Sequence, residues 1–434
     1  MTQRISADLL VVGASELVTC AGPAPAAGQA QADAGVVERG ALAARDGTIV
    51  WTGPEDELER AVAPAPDART LDVGGRAVLP ALVDCHTHLV WAGDRTGEFA
   101  RRLAGATYSE IAAAGGGILS TVEAVRAAPR ERLAAEARER MRRMARWGTT
   151  GFEIKSGYGL STEAEIKLLR AAGEAVEGTP FLARRTFLGA HTLPREARGS
   201  RAARARYVDE VVGEMIPRVA EERLARFCDV FIDEHAFTVD EARRVLEAGR
   251  AAGLEPKLHA AQLAPDEGVR LAAELGAVSV DHLEHATDDD LDALARAGTV
   301  GVLLPGATLF LRMTRFADGR RMIDRGVPVA VATDVNPGSC PSESLPLMMQ
   351  LACLRCGLSV DEAIVAATKN AAVAAGLGDR LGTLEPGRRC DLLVLEAASR
   401  SELLYALGSQ RTHAVLAAGR TIVGPPAGQS LRLS

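Results

Sequence analysis

The sequence predicts an α/β protein, in which a (β/α)8 barrel of the TIM type carries a small composite β-sandwich domain built from both chain ends. Three observations predict this fold. The chain has 434 residues, enough for one barrel of about 250 residues and a smaller domain. Eight short apolar segments alternate with segments of helical apolar spacing. Both chain ends contain short strand-like segments.

The β-sandwich is predicted from residues 1–78 and 386–434. Near its start, ALAARDGTIVWTG contains Asp46-Gly47 between two apolar runs, which is typical of a β-hairpin. Residues 21–35 are rich in proline, glycine and alanine and are predicted to form a loop. The C-terminal runs DLLVLEA and THAVLAAGRTIVG resemble the first strands. We therefore expect the two ends to pair into one domain.

The barrel is predicted from residues 79–385. Its strand candidates are LPALVDCHTHLV, GTTGFEIKSG, PFLARRTFLGAHT, CDVFIDEHAF, PKLHAAQL, VSVDHLEHA, TVGVLLPGA and PVAVATDVNPG. The segments between them, such as STEAEIKLLRAAGEAV and TVDEARRVLEAGRAAG, have polar starts and helical apolar spacing. In such a barrel the active site lies at the carboxyl ends of the strands.

Composition and charge argue against several classes of protein. Hydrophobic residues make up 47% and charged residues 25%, which is ordinary for a globular protein. The net charge of −7 argues against a nucleic-acid binder. No apolar run is long enough for a transmembrane helix, so no membrane partner is expected. Seven scattered cysteines favour free thiols and a cytoplasmic location. The arginine-rich run 195–206 is expected to form a solvated helix face.

Histidines are concentrated at the predicted strand ends. The chain has eight histidines, and five of them follow predicted barrel strands: His86, His88, His191, His259 and His282. A single histidine is more often a structural residue, whereas five at one barrel rim indicate a functional site.

The residues at this rim predict a mononuclear metal site. His86 and His88 form an H-x-H pair on one face of a strand, because side chains alternate along it. His259 and Asp334 would complete the site, and zinc or iron suits these ligands. The metal would lower the pKa of its water toward about 7 and so supply a nucleophile. We predict that Asp334 accepts the proton and that His282 orients the water or stabilises the oxyanion.

Longer motifs indicate which family of metal-dependent enzymes the chain resembles. HTHLVWAGDRTGEFARRLAGATYSEIAAAGGGILSTV, EIKSGYGLSTEAEIKLLR, FLGAHTLP, KLHAAQL, VDHLEH and VATDVNPGSCPSESLPLMM resemble the imidazolonepropionase family of the amidohydrolase superfamily, over nearly the whole chain. The resemblance implies that a metal-activated water hydrolyses the lactam ring of 4-imidazolone-5-propanoate to N-formimidoyl-L-glutamate, in histidine degradation. It also implies one zinc or iron ion per subunit and a homodimer.

The same resemblance implies roles for individual residues. The metal ligands would be His86, His88, His259 and Asp334. The residues that contact the anionic imidazolone would be Arg95, Tyr158, His191, Gln262, Asn336, Gly338 and Ser339. Arg95 would meet the propionate, and a planar guanidinium suits a carboxylate. Tyr108, close to Arg95 in sequence, is a further candidate.

Two residues deserve comparison with the superfamily pattern. Some family members have glutamate where this chain has Gln262, and an amide cannot accept a proton. The predicted catalytic group is therefore Asp334, with His282 and Gln262 assisting, and the acid that protonates the leaving nitrogen stays open. Binuclear amidohydrolases carry a carboxylated lysine at the fourth strand, whereas Lys155 ends the second. We therefore expect one metal and no carboxylated lysine.

Two alternative functions remain. The first is another amidohydrolase that acts on a cyclic amide or on an aminated purine or triazine ring. Arg95 and the loop of Asn336 to Ser339 favour an anionic lactam instead. The second is a non-catalytic barrel that serves as an interaction protein, and the four retained metal ligands argue against it.

Overall fold

The computed structural model of the chain describes residues 4–105, 110, 116–234, 236–425 and 432–433. Its strands are β1 (Ile5–Val12), β2 (Glu16–Val18), β3 (Val36–Glu38), β4 (Gly40–Arg45), β5 (Thr48–Pro54), β6 (Val62–Asp72), β7 (Val78–Pro80), β8 (Leu82–Asp84), β9 (Thr149–Lys155), β10 (Leu182–Ala190), β11 (Phe227–Phe231), β12 (Glu255–Ala260), β13 (Ser279–His282), β14 (Val300–Leu303), β15 (Val329–Val331), β16 (Leu392–Leu395), β17 (Thr412–Ala417), β18 (Arg420–Val423) and β19 (Arg432–Leu433).

The first α-helix lies between β5 and β6, and the others lie between or after the barrel strands. They are α1 (Leu58–Ala61), α2 (Thr96–Leu103), α3 (Ile118–Ala127), α4 (Arg130–Ala145), α5 (Thr162–Val176), α6 (Arg201–Glu210), α7 (Ile216–Glu221), α8 (Val239–Ala251), α9 (Gly268–Leu275), α10 (Asp288–Ala297), α11 (Pro305–Phe310), α12 (Gly319–Asp324), α13 (Leu345–Cys356), α14 (Val360–Ala367), α15 (Lys369–Ala374) and α16 (Ser401–Tyr405). Among the described residues, no helix is long and apolar enough to cross a membrane.

Strands β8 to β15 form one parallel sheet in chain order. The segments that follow β8 and β15 close this sheet into a barrel. Thr87 and Val335 form a parallel bridge, and the amide of His88 donates to the carbonyl of Val335 at 3.0 Å. Six of the eight strands lie within the predicted segments, and the other two, β11 and β12, begin one residue earlier, at Phe227 and Glu255. The predicted barrel is therefore confirmed.

Local sequence explains where the barrel helices begin. Helix α8 starts with a capping box, in which Thr238 and Glu241 each satisfy the other's backbone amide. Thr287 and Asp290 do the same at the start of α10. Inside the barrel, β9 is buried along its whole length, because helices cover parallel strands on the outside and side chains fill the inside.

The two chain ends build two further sheets. One has the order β19-β6-β1-β4-β5 and the other β18-β17-β16-β7-β2-β3. Each sheet therefore contains strands from both ends of the chain, as predicted. Leu9 and Leu42 of the first sheet share a buried cluster with Leu392 and Leu416 of the second, so the two sheets pack as a sandwich. The boundaries at residues 78 and 386 stay a prediction.

The predicted hairpin is the turn between β4 and β5. These strands pair antiparallel, with Arg45 opposite Thr48. Asp46 and Gly47 between them have φ values of +51° and +73°. Two successive positive φ values match the right-handed twist of the flanking strands, which explains the preference for Asp-Gly at this turn.

Candidate active site

The structure brings the five predicted histidines together at the carboxyl ends of the barrel strands. The ring centroid of His86 lies 5.3 Å from that of His88, 4.5 Å from that of His259 and 5.9 Å from that of His282. The rings of His88 and His191 stack at 5.0 Å. All five rings therefore lie around one small region of the barrel mouth.

Ligand atoms for one metal ion converge in this region. The Nε2 atoms of His86 and His88 each lie 3.5 Å from Oδ1 of Asp334. His86 also groups with His259 and His282, and the ligand atoms of each group lie within 4.8 Å of one another. Within the described residues, Nε2 of His86 and Nε2 of His259 are buried without a hydrogen-bond partner. Buried imidazole nitrogens without a partner, facing a carboxylate, fit a divalent cation.

Two buried aspartates orient two of these histidines. Nδ1 of His86 contacts Oδ2 of Asp281 at 2.7 Å, and Nδ1 of His259 contacts Oδ1 of Asp229 at 3.1 Å. A carboxylate can only accept, so each Nδ1 carries the hydrogen. Each Nε2 is then left with a lone pair for the metal, as in carboxylate–histidine–metal arrangements.

A buried lysine joins the two aspartates. Nζ of Lys155 lies 2.7 Å from Oδ2 of Asp229, 3.4 Å from Oδ2 of Asp281 and 2.8 Å from Oε1 of Glu153. Burial lowers the pKa of Lys155, but the three carboxylates outweigh burial and raise it well above its ordinary value. Lys155 is therefore an ammonium that donates to carboxylates.

The carboxylate of Asp334, which faces His86 and His88, is held by the loop that follows it. Nδ2 of Asn336 donates to Oδ1 of Asp334 at 3.0 Å, and Oγ of Ser339 lies 3.4 Å from Oδ2. Oδ1 of Asn336 accepts the amides of Gly338 and Ser339 at 2.8 and 2.7 Å. Asn336 thus links the shape of the loop to the position of the carboxylate.

Asp334 and His282 have unusual backbone and electrostatic surroundings. Their φ values are +53° and +82°, which non-glycine residues seldom adopt. Burial raises the pKa of Asp334 to about 6, against the opposing effects of His282 and Asn336. Burial lowers the pKa of His282, but Glu284 and Asp334 outweigh it, so this pKa lies above its ordinary value. Such strain and such shifts are typical of functional sites.

A cavity of about 880 Å³ opens onto these residues. Every predicted site residue except His86 lines it: His88, Arg95, Tyr158, His191, His259, Gln262, His282, Asp334, Asn336, Gly338 and Ser339. Tyr108, a further candidate from the sequence analysis, lies outside the described residues. The cavity therefore has two sides. We call the side with His88, His259, His282 and Asp334 the metal wall, because the predicted ion would bind there, and the side with the predicted substrate residues the substrate wall.

Arg95 is held in place at the substrate wall. Its Nε and Nη2 donate to the two carboxylate oxygens of Glu98 at 3.0 and 2.5 Å. A Cβ atom on Gly338 would overlap Nη1 of Arg95. The guanidinium therefore lies directly against the backbone of Gly338, and this close approach requires glycine there.

Tyr158 lies on a loop that a buried carboxylate organises. Glu165 accepts the amides of Gly157, Gly159 and Leu160 at 2.9, 2.7 and 2.8 Å. The carbonyl of Gly157 accepts from Nδ1 of His191 at 3.0 Å. One buried glutamate thus fixes both substrate candidates of this loop region.

Sequence reasoning missed several charged residues of the site. Arg198 was expected on a solvated helix face; it is exposed, but it lies before α6 and also lines the cavity. Its Nε donates to the carbonyl of Leu193 at 2.9 Å, which turns the side chain back toward the barrel. Arg102 also lines the cavity, with its guanidinium 4.8 Å from the ring centroid of Phe310. The signal that could have found Arg198 is its position shortly after a barrel strand.

Comparison with known proteins identifies the family. A model described as the amidohydrolase family matches residues 77–422. The imidazolonepropionase of Symbiobacterium thermophilum is 50% identical over 417 residues, which is 96% of this chain and 97% of that protein. That of Geobacillus kaustophilus is 47% identical over 418 residues, which is 96% of this chain and 98% of that protein. The chain belongs to the imidazolonepropionase family of amidohydrolases.

Two solved structures share the fold of this imidazolonepropionase family member. An adenosine deaminase from Xanthomonas campestris with bound zinc has a TM-score of 0.69 at 21% identity, over 98% of this chain and 94% of that one. A triazine hydrolase variant has a TM-score of 0.72 at 18% identity, over 97% and 96%. At these identities the similarity shows the fold alone. The predicted family resemblance and fold class are confirmed.

Proposed function

We propose that this site hydrolyses 4-imidazolone-5-propanoate to N-formimidoyl-L-glutamate. The reaction adds one water across the lactam C–N bond, so that hydroxyl goes to the carbonyl carbon and hydrogen to the ring nitrogen. The observation that carries the proposal is Arg95, which faces the same cavity as the imidazole and carboxylate cluster. Membership of the imidazolonepropionase family supports the same reaction and confirms the expected class, a hydrolase that acts on a cyclic amide.

One divalent metal ion is proposed to bind His86, His88, His259 and Asp334. When bound, such an ion lowers the pKa of water and polarises a carbonyl. Amidohydrolase membership supports a divalent metal, and the unpartnered Nε2 atoms of His86 and His259 support these ligands. Zinc and iron both accept imidazole and carboxylate ligands, and either satisfies the proposal.

Arg95 is proposed to bind the propionate of the substrate. Glu98 occupies Nε and Nη2 of the guanidinium, which leaves the Nη1 edge beside Gly338 for a carboxylate. A charge-assisted hydrogen bond from a side chain already held in place loses little side-chain entropy on binding. Tyr158, His191, Asn336, Gly338 and Ser339 are proposed to complete the substrate wall.

Asp334 is proposed as the group that takes the proton from the attacking water. Its carboxylate faces the histidine cluster and is oriented by Asn336. His282, which also lines the cavity, is proposed to stabilise the oxyanion that develops on the carbonyl oxygen. Gln262 is proposed to position water or substrate through its amide. The ring nitrogen has to gain one proton as the C–N bond breaks, so that the steps together add one water across that bond.

A cytoplasmic homodimer is the remaining part of the proposal. The seven cysteines are free thiols in the structure, which supports a reducing compartment. One chain has a mass of 45.6 kDa, and light scattering during size-exclusion chromatography is expected to give twice that mass. A mass of one chain at micromolar concentration would contradict the dimer.

A substrate panel tests the proposed reaction against its alternatives. Purified protein is mixed with freshly generated 4-imidazolone-5-propanoate, its propionamide analogue, adenosine and an aminotriazine, and the consumption of each compound is followed by its change in absorbance. We expect fast loss of the anionic lactam and much slower loss of the neutral analogue. Turnover of adenosine or of the triazine without turnover of the lactam would overturn the proposal.

A further inference from the structure

Behind the histidines lies a buried charge cluster that the proposed reaction does not use directly. It consists of Glu153 and Lys155 on β9, Asp229 on β11, Lys257 on β12 and Asp281 on β13, and all five side chains are fully buried. Such groups are costly to bury unless they pair, and the contacts that pair these five groups also reach the histidines.

We propose that Lys155 is a positioning residue for the metal, because its ammonium holds the two aspartates that orient His259 and His86. This inference rests on the proposed metal site. It extends that site from the atoms that would touch the ion to a cation fixed behind them. Partners of this kind behind metal ligands commonly control metal affinity.

The contacts of the individual carboxylate oxygens of Asp229 and Asp281 support this role. Asp229 gives Oδ1 to His259 and Oδ2 to Lys155. Asp281 gives Oδ2 to His86 at 2.7 Å and to Lys155 at 3.4 Å, while Oδ1 accepts from Ser279 at 3.0 Å. Each carboxylate is therefore fixed between a histidine and the shared ammonium, and neither can turn without losing a contact.

The position of Lys155 also explains a second group of potential metal ligands. Asp229, His259 and Asp281 place ligand atoms within 4.8 Å of one another. The ammonium of Lys155 contacts both carboxylates of this group. A cation supplied by the chain thus occupies the place where these carboxylates would otherwise attract a second metal ion, in agreement with the expectation of one metal.

Lys257 offers a matched control in the same cluster. Its Nζ contacts Oε1 of Glu153 at 3.3 Å and the carbonyls of Cys85 and Ala374 at 3.3 and 3.2 Å. Within the described residues, Nζ of Lys257 contacts neither Asp229 nor Asp281. Replacement of either lysine removes one fully buried ammonium, but only Lys155 holds the aspartates that face the histidines.

The test compares zinc binding by Lys155→Met and Lys257→Met with that of the unchanged protein. Zinc affinity is measured by competition with a chromophoric chelator, and stability by the urea midpoint of the metal-free proteins. We expect Lys155→Met to bind zinc about 10- to 100-fold more weakly. Lys257→Met is expected to lose a comparable amount of stability with less than about a threefold change in zinc affinity, since it leaves both aspartates anchored. Equal zinc affinity in the two variants would overturn the inference.

A second variant keeps the test decisive if Lys155→Met does not fold. Lys155→Met combined with Glu153→Gln removes one positive and one negative charge, so that the net charge of the cluster is unchanged. It is expected to fold and still to bind zinc at least about tenfold more weakly, whereas full zinc affinity would overturn the inference. If the unchanged protein binds no zinc or iron, the proposed function fails as well. If the unchanged protein binds one ion and the variants bind it equally well, the inference fails alone.

Discussion

The two walls of the active-site cavity are built differently. The metal wall consists of side chains at strand ends, and a fully buried ion cluster fixes their orientation through Asp229, Asp281 and Lys155. The substrate wall lies on loops, where the carboxylates of Glu98 and Glu165 hold a guanidinium and backbone amides. Damage to the metal wall should therefore abolish the reaction, whereas damage to the substrate wall should weaken it in steps.

The largest effect is expected from His259→Ala. This change removes a proposed metal ligand, whose Nε2 is buried without a hydrogen-bond partner among the described residues. We expect the bound metal and the activity to disappear together, with turnover reduced at least about 10³-fold, because a metal supplies several kcal/mol of transition-state stabilisation. Metal content per chain and initial rates are measured on the same sample. A metal-free His259→Ala protein with full activity would contradict the ligand assignment.

Arg95→Ala should break the substrate wall without affecting the metal wall. Loss of a charge-assisted hydrogen bond of about 1.5–3 kcal/mol corresponds to a rise in KM of about 10- to 150-fold, with kcat little changed. Metal content should stay the same. The propionamide analogue serves as the control, because its KM should not respond to the variant. An equal loss with both substrates would show that Arg95 does not read the carboxylate.

Glu165→Gln should loosen the loop that carries Tyr158. Glutamine brings an N–H group toward three backbone amides that now donate to a carboxylate. We expect a loss of about 1–3 kcal/mol in the free energy of unfolding, measured by urea denaturation. Glu163→Gln on the same helix is the control, since Glu163 is exposed and, within the described residues, forms an ion pair with Arg218 at the surface, so that a clearly smaller loss is expected. Equal losses would remove the special role of Glu165.

Gly338→Ala should give the smallest effect of the four. The added methyl group would displace the guanidinium of Arg95, and a side chain forced from its rotamer costs about 0.5–1.5 kcal/mol. We expect KM to rise about two- to twelvefold in the direction of Arg95→Ala. Gly213→Ala is the control, because a Cβ atom there meets nothing within 4 Å. A rise in KM that persists in the Arg95→Ala background would show that the two residues act independently.

The barrel and its site were predictable for a physical reason. Buried parallel strands are short and apolar, and the positions after them face the barrel mouth, so that His86, His191 and His282 could be placed from the strand pattern. The hairpin at Asp46-Gly47 followed from the backbone preferences of its two residues. In both cases the information lies within a few neighbouring residues.

The charge cluster was not predictable in the same way. Glu153, Asp229 and Asp281 lie on three different strands, and their meaning appears only when the barrel brings them to Lys155. Considered alone, Lys155 raised only the question of a carboxylated lysine between two metals. Arg198 was missed as a cavity residue for a related reason, since a run of arginines is usually solvated. Its side chain is indeed exposed, and the loop before α6 places it at the cavity.

The central claim is that one metal ion bound at the metal wall drives hydrolysis of an anionic lactam. The most direct measurement counts metal per chain and follows the absorbance loss of freshly generated 4-imidazolone-5-propanoate, before chelation, after chelation and after zinc or iron is restored. The account predicts about one ion per chain, loss of turnover on chelation and its recovery on reloading. Full turnover in protein shown to be free of metal would contradict it.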